Sequence, residues 1–174
     1  NVEATRKLVS CLHKDQLLIY ASTTSIYGAS AIECNESVPI EPPSLYAKTK
    51  YAAEKIVMDR QNSISLRFAT VFGTSPRMRV DLLVNDFAYR AVHERAIVLF
   101  SGRSKRTFIH ILDAIEGYLF ALDHADAMHG KIFNVGEEKL NLSKLDIANA
   151  IRKYVEFEII DSSLPDVDVR NFVV

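Results

Sequence analysis

Tyr46 and Lys50 form the pattern with the clearest chemical use in this sequence. They are the two ends of a Y-x-x-x-K pattern, and their spacing places them one turn apart on the same face of a helix. An ammonium group beside a phenol favours the phenolate form. The pair is therefore a candidate general base for the proton of a hydroxyl group on a substrate.

A second Y-x-x-x-K pattern, Tyr51 with Lys55, follows on the same predicted helix. Five residues at ~100° each place Tyr51 about 140° around the helix from Tyr46, so the two phenols cannot face one pocket. Tyr46 lies at the helix start, directly after Pro42-Pro43-Ser44, where a side chain can reach a cleft. We assign the chemical role to Tyr46 and expect Tyr51 to pack or to face solvent.

Hydroxyl side chains are concentrated in ASTTSIYG, residues 21–28, directly after the apolar run QLLIYA, residues 16–21. The apolar run predicts a buried strand. Open α/β sheets bind ligands at the carboxyl ends of their strands, so a hydroxyl here could donate to a substrate oxygen near Tyr46. The alternative is local turn chemistry, which Ser and Thr favour.

Segments with helical and strand patterns alternate along the chain. Helices are predicted at about residues 1–13, 45–61, 81–94, 113–125 and 143–154, and strands at about 16–21, 64–69, 96–100, 131–135 and 157–160. We expect Ser44 and Asp113 to cap two of the helices, and Ser143 with Asp146 to form a capping box. The alternation predicts βαβ units and a largely parallel sheet with helices on both faces.

The composition excludes several classes of protein. With 174 residues, 48% hydrophobic and 25% charged, the chain is expected to fold as a globular domain rather than stay disordered. A formal net charge of -1 without long blocks of like charge argues against nucleic-acid binding, and no apolar run approaches the ~20 residues that span a bilayer.

Cys11 and Cys34 have no metal-ligand spacing and favour a reduced, cytoplasmic protein. His110 lies in an apolar run without nearby ligands, so we expect it to pack and predict no metal site.

The glycines show what the chain lacks. No two of the six glycines are two positions apart, so neither the G-x-G-x-x-G fingerprint of dinucleotide-binding folds nor a P-loop is present. The sequence therefore predicts no phosphate-cradling turn of that kind within residues 1–174.

Six short segments in a fixed order resemble the NAD-dependent epimerase/dehydratase family, the extended short-chain dehydrogenase/reductases that act on nucleotide sugars. They are ASTTSIYG, PPSLYAKTK, LRFATVFG, KRTFIHILD, FNVG and DVRNF. The resemblance implies an α/β fold: part of a doubly wound, Rossmann-like parallel sheet over residues 1–75, and part of a smaller C-terminal α/β substrate-binding region over 76–174, with some segments returning to the sheet. It also implies an internal fragment without the N-terminal glycine-rich part, which we expect to be inactive alone.

The resemblance assigns roles to seven residues. Thr23, Tyr46 and Lys50 match the family's catalytic residues, and Tyr46 and Lys50 are expected to contact NAD, with NADP as an open alternative. The expected contacts to a nucleotide-diphosphate sugar are Thr70, Arg79, Arg106 and Arg170. Arg77 is a weaker candidate for the same task. Thr70 replaces an asparagine of many members, which weakens its expected contact.

The residues after Thr23 favour one reaction over others. Dehydratases of the family have an Asp-Glu pair there and sugar-acid decarboxylases keep a Glu, whereas this chain has Thr24 and Ser25. The resemblance therefore implies a nucleotide-sugar 4-epimerase, with a 4-keto-sugar reductase or dehydratase relative as the alternative and a noncatalytic scaffold as an alternative of another class. It also implies a homodimer packed through helices 1–13 and 45–61, with Tyr51 or Ala52 near the interface.

Overall fold

Helices and strands alternate in the computed structural model, which describes residues 1–29, 33–162, 164 and 173–174. The helices are α1 (Val2–Cys11), α2 (Leu45–Met58), α3 (Leu83–His93), α4 (Ile111–Asp123), α5 (Ala125–Met128) and α6 (Lys144–Arg152). The strands are β1 (Leu18–Thr23), β2 (Ser63–Phe68), β3 (Thr70–Phe72), β4 (Ala96–Phe100), β5 (Lys105–His110), β6 (Lys131–Val135), β7 (Asn141–Ser143) and β8 (Glu158–Ser162). The predicted α/β class is confirmed. Within the described ranges, no helix is long and apolar enough to cross a membrane.

The strands form three small sheets rather than one. β2 lies between β1 and β6 and is parallel to both, with Thr23 opposite Phe68 and Phe68 opposite Val135. β5 lies between β3, to which it is parallel, and β7, to which it is antiparallel, and β4 pairs with β8 in parallel. The sequence patterns did not predict the strands β3, β5 and β7, and they did not predict the antiparallel pairing of β5 with β7.

β2 is the most buried strand, because all six of its positions are buried. Ile64, Leu66 and Phe68 pack into an apolar cluster with α4, while Ser63, Ser65 and Arg67 are buried polar groups on the alternate positions. A polar residue at a fully buried position needs hydrogen-bond partners inside the protein. The partners of Arg67 therefore constrain the structure on that side of the strand.

β5 separates the two larger apolar clusters. Phe108 packs with α3, β4 and α6, and its neighbour Ile109 packs with β2 and α4. Successive side chains of a strand point to opposite faces, so one strand serves both clusters. A single residue, Ala69, connects β2 to β3, and its N–H donates to the carbonyl of Val135 at 2.8 Å. The chain thus passes from one sheet to the next at the end of β2.

The helix caps follow the predictions in two of three cases. The Ser44 hydroxyl accepts a hydrogen bond from the N–H of Ala47 at 3.1 Å, and Ser143 forms the expected capping box with Asp146. The prediction for Asp113 is wrong. α4 begins at Ile111, and the Nδ1 atom of His110 accepts from the N–H of Leu112 at 3.3 Å, which leaves Asp113 in the first turn.

Gly28 ends the hydroxyl-rich segment after β1. A 3-10 helix, Thr24–Tyr27, follows the strand, and Gly28 then takes φ 77° and ψ -143°. A Cβ atom at this position would lie 2.6 Å from the backbone carbonyl oxygen of Glu41. Only glycine fits both the dihedral angles and the space.

We expect Gly28→Ala to lower the free energy of unfolding by about 1 to 3 kcal/mol, because an L side chain is strained at this backbone conformation. Gly102→Ala is the matched control, since its Cβ would lie 3.5 Å from the nearest side chain, that of Leu99, which is an ordinary van der Waals distance. Urea denaturation followed by circular dichroism measures both changes. Equal stability of the two variants would contradict this account of Gly28.

Candidate active site

A cleft of ≈ 1020 Å³ lies at the carboxyl ends of β1 and β2. Five of the residues predicted to act in catalysis or substrate binding line it: Thr23, Tyr46, Lys50, Thr70 and Arg79. The remaining lining residues are mostly small, hydroxyl-bearing or apolar: Ala21, Ser22, Ser25, Pro43, Ser44, Phe68, Ala69, Val71, Asp81, Leu82, Ile111, Ala114 and Tyr118. The five predicted residues, from Thr23 to Arg79 in the chain, are thus brought to one cleft.

Tyr46 reaches the cleft from the first turn of α2. Its side chain is 53% exposed, and the preceding residues Pro43 and Ser44 line the cleft with it. Tyr51, in contrast, is half-buried against the cluster of Ile26 and its neighbours. The expected separation of the two tyrosines is found: Tyr46 faces the cleft, and Tyr51 packs.

Lys50 lies one turn further along α2 and is anchored to β1. Its Nζ atom donates to the backbone carbonyl of Ala21 and lies 4.3 Å from the centroid of the Tyr20 ring. Burial lowers the pKa of Lys50, and the negative charge of Glu54 opposes that shift. The ammonium is therefore held by groups of β1 at the edge of the cleft.

Thr23 both caps a turn and lines the cleft. Its Oγ1 atom accepts a hydrogen bond from the N–H of Ser25 at 3.2 Å, and the residue is 7% exposed. A hydroxyl that accepts one bond still has its own proton to donate. Thr23 therefore stabilises the local turn and can also donate a hydrogen bond to a substrate oxygen. Thr24 turns away, with its hydroxyl donating to the carbonyl of Phe68 at 3.3 Å.

Asp81 places a carboxylate in the cleft that the sequence analysis did not anticipate. It receives hydrogen bonds from the Nε and Nη2 atoms of Arg79, the first at 3.0 Å, and both side chains are well exposed. These bonds hold the pKa of Asp81 below its ordinary value. No local pattern marks this residue, because it reaches the cleft through the loop between β3 and α3.

The other predicted arginines have different positions. Arg106 is only 5% exposed, lies in β5 opposite Leu142, and is not among the residues that line this cleft. Arg170 lies outside the described residues. Arg77 is exposed and likewise does not line the cleft.

A buried ion pair that our sequence analysis missed connects the elements around the cleft. The Nη2 atom of Arg67 lies 2.7 Å from Oε1 of Glu54, and the two side chains are 2% and 1% exposed. Ser65 donates to the same carboxylate at 2.9 Å. The Nη1 atom of Arg67 donates to the Tyr27 hydroxyl at 2.8 Å, and that hydroxyl donates to Asn134 at 2.8 Å.

Two sequence signals point to this network in retrospect. Glu54 lies four residues after Lys50, on the same face of α2, and Arg67 interrupts the apolar run of β2. A charged residue in a strand buried on both faces requires an opposite charge nearby. Burial raises the pKa of Glu54, but the hydrogen bonds and positive charge of Arg67, together with hydrogen bonds from serine side chains, outweigh it, and the net pKa lies below the ordinary value.

Comparison with known proteins identifies the family. The model of the NAD dependent epimerase/dehydratase family matches residues 1–136. The chain belongs to this family. An epimerase/dehydratase relative from Bacillus subtilis, an uncharacterized UDP-glucose epimerase, is 28% identical over 144 residues, which are 78% of this chain and 45% of the relative.

Two further members of the family illustrate its range. The human dTDP-D-glucose 4,6-dehydratase is 31% identical over 145 residues, which are 78% of this chain and 40% of the relative. The UDP-glucuronic acid 4-epimerase from Bacillus cereus, solved with UDP-glucuronic acid and NAD, superposes with a TM-score of 0.81 at 25% identity, over 99% of this chain and 58% of that one. The chain spans about half the length of the curated relatives it matches.

We expect Glu54→Ala to lower the free energy of unfolding by about 3 to 5 kcal/mol, because it leaves the buried Arg67 guanidinium without its carboxylate. Glu94→Ala is the control, since it removes a carboxylate from Arg90 in a pair that is 46% and 52% exposed. That change is expected to stay within about 1 kcal/mol. Urea denaturation compares the two, and similar losses would argue against a special role for the buried pair.

The ion pair of Glu54 and Arg67 should also make the folding stability of the protein depend on pH in the acidic range. Because the pKa of Glu54 is depressed in the folded state, its stabilisation is complete above the unfolded value of about 4.3 and is lost as the pH falls through the folded value. Stability of the wild type should therefore fall more steeply below about pH 4.3 than that of Glu54→Gln, which cannot ionise. Parallel pH profiles would contradict the depressed pKa.

Proposed function

We propose that the native protein is an NAD-dependent nucleotide-sugar 4-epimerase. The observation that carries this proposal is the meeting of Thr23, Tyr46 and Lys50 in one cleft at the carboxyl ends of β1 and β2. Family membership supports the general reaction class, and the UDP-glucuronic acid 4-epimerase from Bacillus cereus is one of the similar structures.

Tyr46 is the general base of the proposed reaction. Its exposed phenol stands at the cleft, where it can take the proton of the sugar 4-hydroxyl. Thr23 donates a hydrogen bond to the same sugar oxygen and fixes its position. The positive charge of Lys50, in the second turn of α2, supports the negative charge that develops on the phenol.

The residues present fit the nicotinamide end of the cofactor. The Lys50 ammonium and the Tyr46 hydroxyl both line the cleft and can bond the ribose hydroxyls next to the nicotinamide. The chemistry that NAD supplies when bound is acceptance of the C4 hydride and its return to the opposite face of the sugar, which inverts C4. The chain's own residues hold the sugar and manage the proton during that exchange.

Elimination of water is the less favoured reaction. A dehydratase needs an acid placed to expel a hydroxyl, and Thr24 and Ser25 stand where the family's dehydratases have Asp and Glu. Asp81 is the one carboxylate among the cleft-lining residues named above, and its bonds to Arg79 keep it ionised. An ionised carboxylate cannot donate the proton that a leaving hydroxyl requires.

We propose that the sugar carries an acidic group that Arg79 recognises. Arg79 lines the same cleft as Tyr46 and has five N–H donors, of which Asp81 occupies only two through the bonds named above. The guanidinium can bond a second carboxylate with the remaining donors. The UDP-glucuronic acid bound by the Bacillus cereus enzyme is a sugar of this kind.

The proposed assembly is a homodimer through α1 and α2. These helices pack against each other, since the Asn1 side chain donates to Thr49 at 3.1 Å. None of the residues of α1 is buried, and Leu8 is 51% exposed, so this helix pair has apolar surface left for a partner copy.

Tyr46→Phe is expected to lower kcat for nucleotide-sugar interconversion by roughly 100-fold or more, because the general base is lost. Tyr51→Phe is the matched control from the second Y-x-x-x-K pattern and should keep turnover near the wild-type level. Chromatographic separation of the two epimers measures both rates in the native protein. Near-normal turnover of Tyr46→Phe would end the assignment.

Arg79→Ala is expected to raise KM for an acidic nucleotide sugar such as UDP-glucuronic acid by about tenfold, because one charged hydrogen-bond donor is lost. KM for UDP-glucose should change little, and Arg77→Ala should leave both values near those of the wild type. Equal losses for the two sugars would show that Arg79 contacts the part that they share.

A further inference from the structure

Tyr20 lies beside the proposed catalytic residues but is not among the residues that line the cleft. It is half-buried on β1, three residues before Thr23, and its ring is turned toward α2. Its hydroxyl lies 3.5 Å from the backbone carbonyl of Lys50. The Nζ atom of Lys50 lies over the ring, 4.3 Å from its centroid.

Three groups surround the Lys50 ammonium. The carbonyl oxygen of Ala21 accepts a hydrogen bond from it, and the ring of Tyr20 offers the negative face of its π system. The carboxylate of Glu54, one turn further along α2, adds an attractive charge and is itself fixed by Arg67. Two of the three groups belong to β1, the strand that also ends in Thr23.

A lysine side chain has four rotatable bonds, so one hydrogen bond does not fix its end. An aromatic face under the ammonium restricts it further, because the attraction weakens when the charge moves off the ring. The Lys50 ammonium is thereby held at β1, the strand that carries Thr23. The backbone of Lys50 belongs to α2, the helix that carries Tyr46. This connection is one of the contacts that join β1 to α2 at the cleft.

We propose that Tyr20 is a positioning residue whose ring holds the Lys50 ammonium at the Ala21 carbonyl and so aligns Lys50 with Thr23 and Tyr46. The consequence for catalysis rests on the proposed epimerase function, whereas the contact itself does not. The ring rather than the hydroxyl is the active part of the side chain.

The protonation of the Tyr20 hydroxyl agrees with a role for the ring rather than for the hydroxyl. Burial raises the pKa of Tyr20 to about 12, and the negative charges of Glu54 and of ionised Tyr46 add to the shift. The phenol of Tyr20 therefore stays neutral near neutral pH and does not compete with Tyr46 as a base. Phenylalanine should replace Tyr20, and an aliphatic residue should not.

The contact is tested first by NMR, without reference to activity. In ¹³C,¹H spectra, the ε-methylene protons of Lys50, assigned through Lys50→Met, should be shifted upfield by the ring current of Tyr20. The shift should persist in Tyr20→Phe and disappear in Tyr20→Leu. Tyr51→Leu is the matched control, because the Nζ atom of Lys55 lies 4.8 Å from the Tyr51 ring centroid on the same helix, and this variant should leave the Lys50 signal in place.

Kinetics then test the positioning role in the native protein. Tyr20→Leu should lower kcat for interconversion of UDP-glucuronic acid by about tenfold with little change in KM, and Tyr20→Phe should retain wild-type kcat. Thermal unfolding shows whether each variant is folded. If Tyr20→Leu does not fold, the upfield shift of the Lys50 signal in the wild type still decides whether the contact exists. An unshifted Lys50 signal in the wild type, or equal kcat losses for Phe and Leu, would overturn the proposal. If the wild type shows the upfield shift of the Lys50 signal but converts no nucleotide sugar, the epimerase function is refuted and the contact between Tyr20 and Lys50 is established.

Discussion

The buried ion pair of Glu54 and Arg67 is the interaction on which the cleft depends. Removing two charges from water costs several kcal/mol per ion, and that cost is offset only if further hydrogen bonds satisfy both groups. Ser65 and Tyr27 supply such bonds. These bonds join α2, which carries Glu54, to β2, which carries Ser65 and Arg67, and to the 3-10 helix after β1, which carries Tyr27. The helix that carries Tyr46 and Lys50 and the 3-10 helix that Thr23 caps are thus both fixed to one charge pair.

The cleft itself lies where the chain changes sheets. β2 ends at Phe68, Ala69 bonds to β6, and Thr70 already begins the next sheet. The end of a strand in a parallel sheet leaves backbone and side chains facing a crevice, which is where ligands bind in open α/β folds. Gly28, at the end of the 3-10 helix that follows β1, passes so near to the Glu41 carbonyl that only a residue without Cβ fits there.

The sequence was sufficient for features that depend on neighbours in the chain. Periodicity and capping residues predicted α2, β2 and α6 to within a few positions, and the spacing of Tyr46 and Tyr51 predicted which phenol faces the cleft. β3 and β7 were missed because three-residue strands are defined by their pairing with β5 rather than by a local pattern. Tyr20 and the partner of Arg67 were missed for the same reason: each acts through a contact with a residue distant in sequence. Asp81 was missed because it lies in the loop before α3, where no periodic pattern marks it. Asp113 failed as a cap because the ring nitrogen of His110 took that place.

The hydrogen bond between Tyr27 and Asn134 has a consequence for how the protein folds. It joins residues 107 positions apart and completes the network that begins with Arg67 and Glu54. Contacts of such high sequence separation form late, because the chain between them must first lose the entropy of a long loop. Local elements such as α2 can form early, yet the Tyr27 hydroxyl that Arg67 contacts gains its acceptor, Asn134, only when β6 has docked. We therefore expect the cleft to be assembled in the last steps of folding, so that compact intermediates do not yet align the base with its hydroxyl partner.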